Sequence, residues 1–254
     1  MGRTKEKLAR GEVTLGGWVM IGHPTVAEVL AGEGFDWIGV DLEHTSTDLR
    51  AFHQIALALK GTACDLLARL HSCDPVLAKL VLDAGADGII VPSVNTAEEA
   101  RRAVSMAKYP PQGIRGAALC RAADFGRNFE AYYRQHNDRV IVVVMLEHIQ
   151  AVENADAILA VPGIDAALIG PYDLSASMGM PGHTTAAEAL DAQMRILEAC
   201  RRHHVPPGIH VVAVDPGQLQ ARIEQGFRFI PCGLDTEFLI YASRQMLRGI
   251  HGHG

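Results

Sequence analysis

Short apolar runs at 15–20, 37–41, 65–70, 88–92, 140–146, 165–170, 207–212 and 228–232 recur along the chain, and most of the gaps carry helical patterns such as Val26 to Ala31 and Pro75 to Ala84. That makes eight strand-then-helix units. Strands that alternate with helices demand right-handed crossovers and a parallel sheet. Eight of them within 254 residues match the count and size of a single-domain α/β fold, the (β/α)8 TIM barrel. A doubly wound open sheet is the alternative. It lacks its glycines here: no Gly-x-Gly-x-x-Gly follows the first strand, and no Gly-x-x-x-x-Gly-Lys-Ser/Thr occurs anywhere. Gly85-Ala-Asp-Gly88 and Glu224-Gln-Gly-Phe227 read as helix C-caps leading into the next strand. No linker divides residues 1–254; residues 1–12 read as an N-terminal extension, and 235–249 as a C-terminal helix at a subunit interface.

Composition narrows the class. With 48% apolar and 20% charged residues the chain can bury a barrel-sized core. A net charge of -6 offers no basic surface for nucleic acid, and no 18-residue apolar run offers a membrane span. The start, Met1-Gly-Arg-Thr-Lys-Glu-Lys7, lacks the apolar stretch of a secretory signal, so a cytoplasmic enzyme is expected. Cys64, Cys73, Cys120, Cys200 and Cys232 are odd in number and scattered, which fits buried small hydrophobes rather than disulfides or structural zinc.

Two apolar strands run straight into a carboxylate: Val142-Val-Val-Met-Leu-Glu147 and Ala167-Leu-Ile-Gly-Pro-Tyr-Asp173. Both acids would stand at strand C-terminal ends and face a shared cavity. Mg²⁺ and Mn²⁺ are often held by one or two carboxylates, their other positions left to water and substrate. Each acid could instead cap the helix that follows. Other polar residues collect at the same mouth: Asp41, Glu43 and His44 after strand two, Arg69 after strand three, Ser93 after strand four, His148 after strand five and His210 after strand seven. Arg69 could form an ordinary ion pair and His44 could sit satisfied in a loop, while His210 reads as pocket wall. Together they put two acids, a cation and an imidazole into one pocket.

The segments Asp41-Leu-Glu-His44, Tyr109-Pro-Pro-Gln-Gly-Ile-Arg-Gly116, Met145-Leu-Glu147 and Gly170-Pro-Tyr-Asp-Leu-Ser-Ala-Ser-Met-Gly179 resemble the HpcH/HpaI family of metal-dependent (class II) pyruvate aldolases, from about Gly16 to Ala242. The resemblance implies a (β/α)8 barrel, commonly a trimer paired into a hexamer. The implied reaction is reversible cleavage of a 4-hydroxy-2-oxo acid into pyruvate, or a close analogue, and an aldehyde. Glu147 and Asp173 match the acids that hold Mg²⁺, Mn²⁺ or Co²⁺, and Arg69 matches the family's transition-state arginine.

Residue chemistry agrees with those roles. Cleavage leaves negative charge on the pyruvate enolate, which a divalent ion stabilises as a Lewis acid and a permanently charged arginine stabilises by hydrogen bonds. An imidazole titrates between pH 5 and 8, so His44 suits the proton of the 4-hydroxyl, and Asp41 is placed to orient the ring. Backbone amides at Tyr172 and Asp173 suit the substrate carboxylate, with Gly170, Pro171, Met145 and His210 lining the pocket. Asp83 matches a further family acid that tunes the histidine, yet it ends the third barrel helix on the opposite face, so it would have to come from a neighbouring subunit.

The chain departs from the family's best-known members in two places. Met145 stands where they carry Gln, and Tyr172 replaces a small residue; His23 and His210 give the mouth unusual polarity, suited to a polar or anionic aldehyde. The alternatives are a citrate-synthase-like condensing enzyme with the same acids and arginine, a CoA-ester lyase, for which no Lys/Arg cluster is visible, and a non-catalytic barrel. The terminal His251-Gly-His-Gly254 reads as a frayed tail.

Overall fold

The computed structural model describes residues 3–251. In chain order the elements are α1 (Arg3–Ala9), β1 (Thr14–Val19), α2 (Pro24–Gly32), β2 (Trp37–Asp41), α3 (Leu49–Ala58), β3 (Asp65–Arg69), α4 (Pro75–Ala84), β4 (Gly88–Val91), α5 (Ala97–Ala107), α6 (Phe129–Arg139) and β5 (Ile141–Met145). The second half continues with α7 (Ile149–Glu153), α8 (Ala155–Leu159), β6 (Ala166–Ile169), α9 (Pro171–Ser177), α10 (Ala187–His203), β7 (Pro207–Ile209), α11 (Pro216–Gln225), β8 (Phe229–Leu234) and α12 (Asp235–His251). Each strand pairs in parallel with the next, and β8 returns to β1, which closes the barrel in one domain. β7 ends three residues before the sequence pattern suggests, continuing only as a single bridge between Val211 and Cys232. Of the tail expected after α12, residues 252–254 lie outside the described residues.

Local chemistry sets the boundaries. Asp48, Asp74 and Asp215 accept backbone N–H groups at the starts of α3, α4 and α11, and Pro75 and Pro216 occupy first-turn positions where no N–H is needed. At the other ends Gly85 and Gly226 both take φ +107°, the left-handed conformation that stops α4 and α11.

Alternation along the strands builds two cores. Ile38, Val40, Leu66, Ala68, Ile89, Val91, Val142 and Val144 point outward to the helices. Trp18, Trp37, Leu67, Ile90, Ile141, Val143, Met145, Leu168 and Phe229 fill the barrel lumen, where Trp37 stacks on Phe229 at 4.3 Å. The tryptophans fit because glycine faces them: a Cβ on Gly39 would stand 2.7 Å from the Trp18 ring.

The N-terminal segment is more than an extension. Leu8 of α1 buries into the lumen cluster, and α1 is bolted across the barrel floor by Lys7 on Asp36 (2.9 Å), Lys5 on Asp165 (3.0 Å) and the Thr4 N–H on Asp65 (2.7 Å). Asp65 begins β3, and Asp36 and Asp165 immediately precede β2 and β6. All three acids therefore stand at the floor, and the plug seals the end of the lumen away from the polar mouth.

Candidate active site

The mouth is organised by register. Asp41 and Arg69 are opposed residues on β2 and β3 and share the inward parity of the lumen residues, so their side chains meet over the core. Arg69 Nε donates to Asp41 Oδ1 at 3.1 Å and Nη2 donates to Oδ2 at 2.5 Å, a bidentate buried pair. The guanidinium lies over the Trp18 ring, 4.9 Å from its centroid, which fixes its plane. Burial alone would push the Asp41 carboxyl up, but Arg69 and the amides of Glu43 and His44 outweigh it and hold it below the usual carboxylate range.

The expectation that Asp41 orients the His44 ring is corrected by this geometry. Its oxygens go to Arg69 and to the backbone N–H groups of Glu43 (2.8 Å) and His44 (3.2 Å), so Asp41 shapes the loop that carries the histidine. The imidazole itself, about half exposed, has Nε2 3.5 Å from Glu43 Oε2. Glu43 also stands 3.5 Å from Arg69 Nε.

Across the mouth Glu147 is buried two residues beyond β5. Its Oε1 accepts the Ser93 N–H at 2.7 Å, an arrangement for which Ser93 adopts φ +52°. Gly170 makes the room: a Cβ there would come within 2.6 Å of Glu147 Oε2. Asp173 sits in the first turn of α9, whose leading N–H groups, including those of Tyr172 and Asp173, have no intrahelical acceptor. Burial first, then the neighbouring charges of Asp173 and Glu43, push the Glu147 carboxyl up to about 7 against the pull of the Ser93 amide.

These donors fit a hard divalent ion. The Glu147 carboxyl feels the negative charges of Asp173 and Glu43, only partly offset by Arg69, an environment that favours a bound cation. Among the described residues no group of three His, Cys, Asp or Glu side chains forms a ready ligand cage. Two carboxylates with water and substrate completing the shell is how such ions are often held.

The remaining expected residues separate into two sets. Trp18, Arg69, Met145, Gly170, Pro171, Tyr172, Asp173 and His210 line one small cavity, with Tyr172 exposed on its rim and Met145 buried against Gly170. His23 and His148 do not join it; each caps a helix start, accepting from the N–H groups of Thr25 (3.2 Å) and Gln150 (3.1 Å). Asp83 lies at the end of α4 toward the barrel floor, paired with buried Arg115 at 2.6 Å, so this chain does not bring its own Asp83 to the mouth. A larger cavity of about 650 Å³, lined by Lys60, Asp87 and Arg139 among others, opens on that same floor side, away from the polar strand ends. Sequence reasoning assigned no role to Trp18, Glu43 or Ser93. Trp18 and Ser93 carry no charge pattern, and their parts depend on pairing across the barrel.

Residues 14–242 match the model of the HpcH/HpaI aldolase/citrate lyase family. A 5-keto-4-deoxy-D-glucarate aldolase of Escherichia coli O6:H1 is 34% identical over 244 residues, covering 95% of this chain and 94% of its own. A 4-hydroxy-2-oxovalerate aldolase of Rhodococcus jostii is 38% identical over 236 residues, covering 92% and 90%. The crystal structure of an HpcH/HpaI aldolase/citrate lyase family protein from Burkholderia cenocepacia J2315 superposes with a TM-score of 0.94 at 32% identity, covering 98% of this chain and 99% of that one. Fold and relatives define the class, a carbon–carbon lyase of the aldolase type. Within that class the chain belongs to the HpcH/HpaI aldolase/citrate lyase family.

Proposed function

We propose that this aldolase reversibly cleaves a 4-hydroxy-2-oxo acid to pyruvate, or a close 2-oxo acid analogue, and an aldehyde, with the help of a divalent metal. The observation that carries the reading is the mouth's charge set: the buried Glu147 carboxyl feels the charges of Asp173 and Glu43, and Arg69, clamped by Asp41, stands 3.5 Å from Glu43. Glu147 and Asp173 would hold Mg²⁺, Mn²⁺ or Co²⁺, which supplies Lewis-acid stabilisation of the enolate. Arg69, held rigid by Asp41 and Trp18, donates to the oxygens where negative charge develops, a contribution of about 3–4 kcal/mol for one well-placed donor. His44, at the water-facing end of the loop that Asp41 braces, takes the proton of the 4-hydroxyl directly or through water. The first-turn amides of Tyr172 and Asp173 bind the substrate carboxylate, and Gly170, Pro171, Met145 and His210 wall the pocket.

The protein acts as a homo-oligomer, a trimer or hexamer, in this reading. Its support is α12, which leaves Leu239, Ile240, Tyr241, Met246 and Leu247 exposed on one helix. Asp83 would act only from a second subunit. All five cysteines are free, which suits the cytoplasm, and among the described residues no helix is long and apolar enough to cross a membrane. A screen of 4-hydroxy-2-oxo acids, following pyruvate release with and without added Mg²⁺, Mn²⁺ and Co²⁺, tests the proposal. Metal-stimulated pyruvate release supports it, and citrate-like condensation products without cleavage would sink it.

A further inference from the structure

Just past the end of β4 the chain takes a conformation that a side chain makes costly: Ser93 has φ +52°. The turn is held from both sides. The Val94 N–H donates to the Met145 carbonyl at the end of β5 (3.1 Å), Glu99 accepts the N–H groups of Asn95 (2.7 Å) and Thr96 (2.9 Å), and the Asn154 side-chain amide donates to the Asn95 carbonyl at 2.8 Å. A left-handed residue other than glycine persists only where its surroundings over-determine it, as they do here. What the conformation delivers is the Ser93 N–H, 2.7 Å from Glu147 Oε1, whereas the hydroxyl of the same residue lies 3.4 Å from that oxygen. The backbone is the closer donor.

That bond makes the two oxygens of Glu147 unequal. Oε1 is taken by Ser93, while Oε2 accepts no hydrogen bond among the described residues and faces Gly170, where a Cβ would stand 2.6 Å away. Gly170 leads into α9, and Asp173 stands in the first turn of that helix. The unbonded oxygen is thus turned toward the segment that carries the second acid. A glutamate side chain is rich in rotamers, and one fixed in advance by the fold does not have to be ordered again when a ligand binds.

We propose that Ser93 is a positioning residue: its left-handed backbone holds Glu147 by Oε1 and so presents Oε2 alone to the divalent ion. The inference rests on the metal reading above. It deepens that reading by naming the oxygen that binds and the group that aims it, and single-oxygen ligation leaves more of the shell to water and substrate. Groups that orient a metal-ligating side chain without touching the ion commonly set affinity by about 10–100-fold.

The test is Mn²⁺ affinity without substrate, read from the EPR signal of the unbound aqueous ion. Ser93→Pro has no N–H and cannot adopt φ +52°, so it should bind Mn²⁺ about 10–100-fold more weakly than wild-type protein. Ser93→Gly keeps the N–H and takes the left-handed conformation freely, so it should recover most of that affinity although the hydroxyl is gone. The urea midpoint of the metal-free proteins is measured beside it. A lower midpoint with wild-type affinity in Ser93→Pro means a structural role only and overturns the proposal, as does Ser93→Gly binding as weakly as Ser93→Pro. Should Ser93→Pro fail to fold, a crystal structure of the Mn²⁺-loaded wild-type protein decides: Oε2 on the ion with Oε1 still on the Ser93 N–H is the expected result, and both oxygens on the ion overturn the proposal. Wild-type protein that binds no Mn²⁺ overturns the metal reading and the proposal with it.

Discussion

Asp41 grips Arg69 with both carboxylate oxygens, at 3.1 and 2.5 Å, from the register-paired position on the neighbouring strand. The same carboxylate collects the N–H groups of Glu43 and His44. One buried acid therefore positions two chemical groups, a guanidinium in the lumen mouth and the loop that carries an imidazole.

Removing that acid's charge should damage stability and chemistry together. Asp41 is fully buried and the Arg69 side chain nearly so, and breaking such a pair by removing one partner costs about 3–5 kcal/mol. Asp41→Asn should lower the urea midpoint accordingly, and Glu43→Gln, at 3.5 Å from Arg69 and partly exposed, should shift it little. Equal shifts in the two variants would contradict the ranking.

His44 and Arg69 should fail in different ways. His44→Ala should slow aldol cleavage by roughly 10²–10⁴-fold and remove the acid limb of the rate profile, as loss of a general base does. Arg69→Ala should slow the reaction at every pH, keep that limb, and also slow deuterium exchange of the pyruvate methyl, which depends on the same developing charge. Wild-type exchange in Arg69→Ala would remove the enolate role given to it.

Acid should loosen the protein partly through His136. Burial first, and then Arg115, push its imidazole down to about 4, while its hydrogen bond to the Ala107 carbonyl opposes them. A folded-state value below the unfolded one means stability that is present above about pH 6.5 and lost as pH falls through 4, at most about 3 kcal/mol for this group. His136→Gln should flatten the stability–pH curve between pH 6.5 and 4 by a comparable amount. An unaltered slope would show that other groups carry it.

Assembly should depend on α12. Light scattering should give a mass well above 27.4 kDa, and Leu239→Asp with Met246→Asp should shift it toward one chain, since both side chains are exposed on α12. A wild-type monomer with full activity would remove both the interface and any part for Asp83.

Much of this was legible from period and punctuation. Eight apolar runs and glycine stops such as Gly85 and Gly226 are local signals, and they led to the barrel; polar residues at or just past strand ends made Glu147, Asp173 and Arg69 candidates for its mouth. What was hidden depends on neighbours distant in sequence. The Asp41–Arg69 pairing is set by register across 28 residues, the Ser93–Glu147 bond spans 54, and α1 becomes a floor plug only because Asp36, Asp65 and Asp165 converge beneath the lumen. His23 and His148 misled because a histidine at a helix start serves its own backbone as readily as a ligand.

The central claim is that Glu147 and Asp173 hold the divalent ion on which pyruvate enolisation depends. Deuterium exchange of the pyruvate methyl, followed by NMR, reads that step without any aldehyde. The account predicts exchange that stops in excess chelator, returns when Mn²⁺ or Mg²⁺ is restored, and stays low in Glu147→Ala under both conditions. Exchange by Glu147→Ala in excess chelator at the wild-type rate would contradict it.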